Sequence, residues 1–400
     1  MSESSPIIVP RGFRASAVKA GVKPSGGLDL AIFAADGPCA AAGTFTTNRV
    51  CAAPVRWCRA NLPAADVRAV VVNAGNANAA TGAEGEANVR RTAERTAALL
   101  GCEPRQVMVA STGVIGRQLP MDRLEAGLAA AAPGLSAEPE SFQTAARAIL
   151  TTDTRPKIVS LGRGEGEGGY GLLGVAKGAA MIGPRMATML AFLLTDARVR
   201  PEDLQPILSE AVDASFNCVS VEGHTSTNDT VLLLSSGAAS RAPLGGADLK
   251  AFGELVDSAC QSLARAIADD GEGATHFITI DVEGCADRDE ARNLARAVAD
   301  SPLVKTAIHG ADPNWGRIVS AAGYAGVPFE ETELSLWING VPVYARGTPT
   351  TFDASALSAD LRANRETHLR LLFSRGDASI RFWTCDLTAE YIRLNADYTT

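Results

Sequence analysis

The chain is poor in the residues on which common catalytic and binding devices depend. It has four histidines, His224, His276, His309 and His368, and none has the HxxxH or HExxH partner of a helical zinc site. The spacing therefore predicts no metal. No Gly-Lys-Ser/Thr occurs, which excludes a Walker-type phosphate loop, and no Gly-x-Ser-x-Gly occurs, which excludes a nucleophile elbow. Eight cysteines include no CxxC pair, so they read as free buried thiols in a reducing compartment. The longest apolar run, residues 186–194, is broken only by Thr188. It is about half of the roughly 20 residues a membrane span needs, so no membrane partner is expected. Basic clusters are also missing, and a net charge of −8 argues against nucleic acid. The first 13 residues lack a basic-then-apolar leader and an organelle presequence pattern, so a cytoplasmic address is expected.

What is present describes a globular protein. Four hundred residues, 46% of them hydrophobic, suffice for one large domain or two interleaved ones, and no linker or composition shift marks a cut. Strand-like runs at 28–33, 69–72 and 107–110 alternate with helix-like runs at 85–100, 121–131 and 139–150. Residues 157–161 and 170–175 predict a hairpin. The second half predicts helices at 201–215, 249–270 and 289–300 and strands at 230–234, 277–282, 332–337, 368–373 and 378–383, with a hairpin turn at Asn339-Gly340. Residues 177–196 have no clear period. The expected class is α+β with layered sheets and helices.

Gly164 to Gly169 formally matches the dinucleotide pattern GxGxxG, but it joins two strands and carries two glutamates. A hairpin loop is the better reading. More informative are short Thr, Asn and Gly clusters between apolar runs: 44–48, 73–78, 111–113, 151–154, 225–230 and 312–316. Singly, each suits a turn or cap. Together they suit a pocket of hydroxyls, amides and backbone N–H groups for a small polar substrate and an oxyanion. Acyl transfer there, without a Ser-His-Asp set, can use a threonine whose own α-amine is the base. That requires a cut before the threonine. Ala187-Thr188, followed by apolar residues, is a candidate position beside the plainer reading of Thr188 as a buried structural residue.

The run Lys177-Gly178-Ala179-Ala180-Met181-Ile182-Gly183-Pro184-Arg185-Met186-Ala187-Thr188-Met189-Leu190 resembles the self-cleavage segment of the ornithine acetyltransferase family of arginine biosynthesis, the glutamate N-acetyltransferases with an N-terminal threonine. Colinear motifs from Gly12-Phe13 through Thr46-Thr47-Asn48 to residues 391–400 extend the resemblance over nearly the whole chain. It implies an α+β fold with two mixed sheets between helices, similar to that of self-processing aminopeptidases. It also implies a cut at Ala187-Thr188 into an α chain (1–187) and a β chain (188–400), interleaved in one unit and paired as α2β2.

The implied reaction moves acetyl from N-acetylornithine to glutamate, some family members also accepting acetyl-CoA, with no bound cofactor or metal. Carried over, Thr188 is the nucleophile, Thr112 and Gly113 are the oxyanion pair, and Thr151, Lys177, Thr188, Glu272, Asn395 and Thr400 contact substrate. Charge logic agrees: a lysine suits an α-carboxylate, and Glu272 suits a side-chain ammonium. The sequence departs from the family at Ala80, Ala179, Ala180, Arg185 and His224. An aminopeptidase or amidase on the same scaffold, and an uncut member that binds without turnover, are the alternatives.

Overall fold

The structure, a computed structural model, describes residues 7–164, 169–183 and 189–397. They form two mixed sheets with helices packed on their faces. The first sheet comprises β1 (Phe13–Val18), β2 (Leu30–Phe45), β3 (Ala64–Asn76), β4 (Val107–Val114), β5 (Lys157–Arg163), β6 (Tyr170–Lys177), β7 (Leu190–Thr195) and β8 (Thr230–Ser235). Its order is β4-β3-β2-β8-β7-β6-β5, with β1 on β2. The second comprises β9 (Phe277–Cys285), β10 (Ser335–Ile338), β11 (Val341–Ala345), β12 (Thr348–Pro349), β13 (Glu366–Leu372) and β14 (Ala378–Cys385), ordered β12-β11-β10-β13-β9-β14.

Central strands of the first sheet are apolar without alternation because both faces are covered. Every residue of β6, β7 and β8 is buried. On one face Phe33, Phe142 and Phe192 meet beneath the helix Pro139–Ala148. On the other, the helix Gly246–Asp269 packs against β5 and β6 and also reaches β14 and β9 of the second sheet. This shared helix joins the sheets through one core.

The expected strands and helices fall close to their predicted positions, and Arg163 pairs with Tyr170 across the expected hairpin. Residues 165–168 of the GxGxxG match lie outside the described residues. Residues 332–337 differ: Glu330 and Glu333 cap a short turn at Glu331–Glu333, and the strand starts only at Ser335. The aperiodic run 177–196 is explained by β7, which pairs antiparallel with β6 and parallel with β8. All eight cysteines are free, six buried and two, Cys51 and Cys102, half-buried. Among the described residues, no helix is long and apolar enough to cross a membrane.

Candidate active site

The site begins where β3 and β4 run parallel and end side by side, Ala74 opposite Thr112 and Gly75 opposite Gly113. Gly113 has φ +126°, and a Cβ there would sit 2.4 Å from the Gly75 carbonyl carbon, so only glycine fits. The Asn-rich turn is a scaffold for these ends. Asn73 Nδ2 donates to Asn76 O at 2.8 Å, Ser111 Oγ to Asn73 Oδ1 at 2.6 Å, and Asn228 Nδ2 to Ala77 O at 2.6 Å and Ser111 O at 2.8 Å. Thr46 and Asn48 hold the loop carrying Asn228, just before β8, through Ser226 O at 2.7 Å and Thr225 O at 3.0 Å. The turn reading and the pocket reading of these clusters are therefore both right, for different members.

Lys177, the last residue of β6, enters the site fully buried. Its Nζ donates to Thr151 Oγ1 at 2.8 Å and to Thr112 Oγ1 at 3.3 Å. Since the ammonium supplies those protons, each hydroxyl keeps its own hydrogen for another acceptor. Behind them is a dry ion-pair chain. Asp153 Oδ2 lies 3.9 Å from Lys177 Nζ, Asp153 Oδ1 accepts from Lys157 Nζ at 2.6 Å and from the Gly178 amide at 2.6 Å, and Lys157 also donates to Asp270 Oδ2 at 2.5 Å. Burial alone would raise the Asp153 carboxyl, but Lys177 and Lys157 bring it down to about 2. Burial pulls Lys177 below the ordinary lysine value, with Asp153 opposing.

A carboxylate also lines the pocket. Glu272 is buried, its amide donates to Ala179 O at 2.9 Å, and its Oε2 accepts from Asn395 Nδ2 at 2.9 Å. Asn395 rides on the helix Ala389–Asp397, so the C-terminal segment folds back to the loop after Gly246–Asp269. Two acids, buried Asp229 and half-buried Glu222, hold the backbone amides of Met189 and Ile182. Asp229 Oδ1 accepts from the Met189 amide at 3.0 Å, and burial holds its carboxyl well above the usual range, against the Met189 hydrogen bond. Glu222 accepts from the Ile182 amide and is pushed up to about 8 by burial.

Thr112, Gly113, Thr151, Lys177, Glu272 and Asn395 thus line one pocket, together with Ala180, Met181 and Asn228. Ala187, Thr188 and Thr400 lie outside the described residues. Lys177 and Glu272 are not the strand-end and loop surface charges that their sequence neighbours alone would suggest. Sequence reasoning passed over Lys157, Glu222, Asp229 and Asp270. The available signal was lysine scarcity: Lys157 and Lys177 are two of only six lysines, and a rare flexible cation inside a turn-rich segment invites a buried partner. Residues 309–317 brace the second sheet instead of the pocket wall. Trp315 stacks on Tyr344 with ring centroids 5.4 Å apart, and Asn314 caps the helix Trp315–Gly323.

Fold and site together define a mixed α+β protein with a two-signed pocket, lined by a buried lysine and a buried carboxylate. The chain belongs to the ArgJ family, whose model matches residues 14–400. It is 46% identical over 398 residues to the arginine biosynthesis bifunctional protein ArgJ of Dehalococcoides mccartyi, covering 98% of this chain and 97% of that protein. It is likewise 46% identical over 394 residues to the protein of that name from Thermus thermophilus, covering 98% and 99%. Among solved structures, the arginine biosynthesis bifunctional protein ArgJ from Bacillus halodurans matches with TM-score 0.51 at 38% identity, covering 52% of this chain and 98% of that one.

Proposed function

We propose that the protein moves the acetyl group of N-acetylornithine to glutamate through an acetyl ester on Thr188, after cutting itself between Ala187 and Thr188. Near-full-length identity to proteins named for arginine biosynthesis supports the reaction. The pocket supports the substrate: Lys177 suits an α-carboxylate, and Glu272, some loops away, suits the free ammonium of an acetylated diamino acid. That two-signed arrangement carries the reading. The products are an α chain (1–187) and a β chain (188–400), held together because β6 and β7 are paired. The solved Bacillus halodurans chain, matched almost completely by about half of this one, is the size expected of one such product.

In processing, Thr188 Oγ attacks the Ala187 carbonyl, the peptide C–N bond breaks as the ester forms and releases the Thr188 amine, and water then hydrolyses the ester to the Ala187 carboxylate and the free Thr188 hydroxyl. In turnover that amine takes the hydroxyl proton while Oγ attacks the acetyl carbonyl. The Thr112 hydroxyl, with its hydrogen left free by Lys177, and the Gly113 N–H receive the oxyanion. Ornithine leaves with a proton on its α-nitrogen, and the glutamate amine then attacks the acetyl ester. Thr151 and Asn395 position substrate, as does Thr400 by resemblance. Acetyl-CoA, a donor that some members of the resembled family accept, would enter as a substrate and not as a bound cofactor. The enzyme works in the cytoplasm as α2β2.

Intact mass under denaturing conditions tests the cut. Two fragments divided before Thr188, absent from Thr188→Ala, are expected, whereas one uncut chain in both proteins would remove the nucleophile. Release of acetate at an undiminished rate without glutamate would replace the transferase by an amidase.

A further inference from the structure

Three side chains that the transfer leaves unused converge behind the Glu272 loop. His276 Nδ1 and His309 Nδ1 each lie 3.1 Å from Asp386 Oδ2, and the Thr275 hydroxyl donates to the same oxygen. The two imidazole nitrogens and the carboxylate oxygen lie within 4.8 Å of one another. They come from the residue before β9, the last residue of the helix Pro302–His309, and the residue after β14. No short sequence spacing could reveal them.

The polar atoms of this cluster leave a place for a cation. His276 Nε2 lies 3.2 Å from Leu361 O, and a carbonyl only accepts, so the ring proton sits on Nε2. In the neutral ring, Nδ1 is then a bare lone pair facing Asp386 Oδ2. It also faces Thr275 Oγ1 at 3.1 Å, whose hydrogen is already given to that carboxylate. Lone pairs facing one another in a half-buried place are unfavourable unless His276 takes a second proton or a metal ion stands between them.

The surroundings favour the metal ion. Metal-bound histidines commonly donate their other N–H to a backbone carbonyl, and ligating carboxylates are themselves hydrogen-bonded. Here Leu361 O takes the His276 Nε2 proton, while Asp386 Oδ1 accepts from the Thr275 amide at 2.8 Å and the His276 amide at 2.9 Å. Ligands about 2.1 Å from a tetrahedral zinc stand about 3.4 Å apart, close to the two 3.1 Å histidine–carboxylate separations. The His309 side chain is 43% exposed while Asp386 is fully buried, so an ion has an entry path and an outward position for water.

We infer that His276 Nδ1, His309 Nδ1 and Asp386 Oδ2 bind one divalent transition-metal ion of the zinc class, leaving a coordination position open to solvent. The site pins the loop 272–276. Asp386 holds its far end, and Thr388 Oγ1 donates to Gly273 O at 2.8 Å beside Glu272. The ion therefore stiffens the pocket's acidic end without touching substrate, and the inference does not depend on which reaction the pocket performs.

Full-length protein stripped with EDTA is titrated with Zn²⁺ by calorimetry and with Co²⁺ by visible absorption. The set is wild type, His309→Ala, His276→Ala, and His368→Ala as a control that sits on Asp281 at 2.9 Å instead. One ion per chain, the intense Co²⁺ bands of low coordination and a raised melting temperature are expected. His309→Ala, at an exposed helix end where folding is not at risk, should weaken binding at least tenfold, and His368→Ala should not. Absence of saturable one-to-one binding, affinity unchanged in His309→Ala, or a ¹⁵N spectrum of His276 as an imidazolium with Zn²⁺ present overturns the site.

Discussion

Asn395 Nδ2 donates to Glu272 Oε2 across 2.9 Å, so a residue near the end of the chain orients the carboxylate of the pocket. With one oxygen engaged by an amide, the other oxygen of Glu272 is the one that would meet the side-chain ammonium of the proposed substrate. Removing a charged partner from a hydrogen bond costs about 1.5–3 kcal/mol. Glu272→Gln should therefore raise KM for N-acetylornithine about 10- to 100-fold. KM for glutamate, which carries no side-chain ammonium, should change far less. Steady-state kinetics with each substrate varied in turn decides it, and equal changes in both constants would remove Glu272 from ammonium recognition.

The 2.4 Å gap between a Cβ at Gly113 and the Gly75 carbonyl carbon separates two kinds of damage at neighbouring residues. Thr112→Val keeps the shape and loses the hydroxyl, so kcat should fall on the order of 10²- to 10³-fold. Gly113→Ala must push β3 from β4, so activity and melting temperature should fall together. A Thr112→Val enzyme within threefold of wild type would show that the oxyanion rests elsewhere.

The parts of this architecture legible from sequence are those set by local rules. Unbroken apolar runs such as 190–195 mark strands covered on both faces, and Asn339-Gly340 joins β10 to β11 as its turn chemistry predicts. The residues 332–337 were misjudged by a few positions because reciprocal glutamate capping at Glu330 and Glu333 competes with strand pairing. In the site, Thr112, Gly113 and Lys177 were legible through family resemblance. The buried pairing of Lys157 was not. Asp270 is 113 residues from Lys157, and no periodicity encodes a contact made only when β5 and the helix Gly246–Asp269 pack. His276, His309 and Asp386 escape for the same reason.

Asp153 is the anion between two buried ammonium groups, and breaking a buried pair by removing one partner costs about 3–5 kcal/mol. Asp153→Asn should destabilise by that amount at pH 7, measured by denaturant unfolding in a Thr188→Ala background so that the chain stays single. The pH dependence has a definite sign. The folded carboxyl lies at about 2 against the usual 3.8, so its contribution is complete above pH 4 and is lost as the pH falls through about 2. The gap between the two proteins should narrow only in that acid window. A constant gap down to pH 2 would mean that Asp153 acts through shape and not charge.

Two groups, the proposed Thr188 amine and the Glu222 carboxyl, change protonation around neutrality, and they can be told apart. A free Thr188 amine of ordinary pKa, about 7.7–8.0, is a base only when unprotonated, so activity should fall as pH drops below 7. Glu222, pushed up to about 8, is neutral over the same range. The fold stability it contributes is complete below pH 4.5 and lost as pH rises through about 8. Glu222→Gln keeps a neutral acceptor for the Ile182 amide and cannot ionise. If the amine is the base, this variant retains the acid limb of the kcat profile while its stability no longer declines towards pH 9. If the limb disappears, the titrating group is the Glu222 carboxyl, and the proton of the Thr188 hydroxyl must leave by another route.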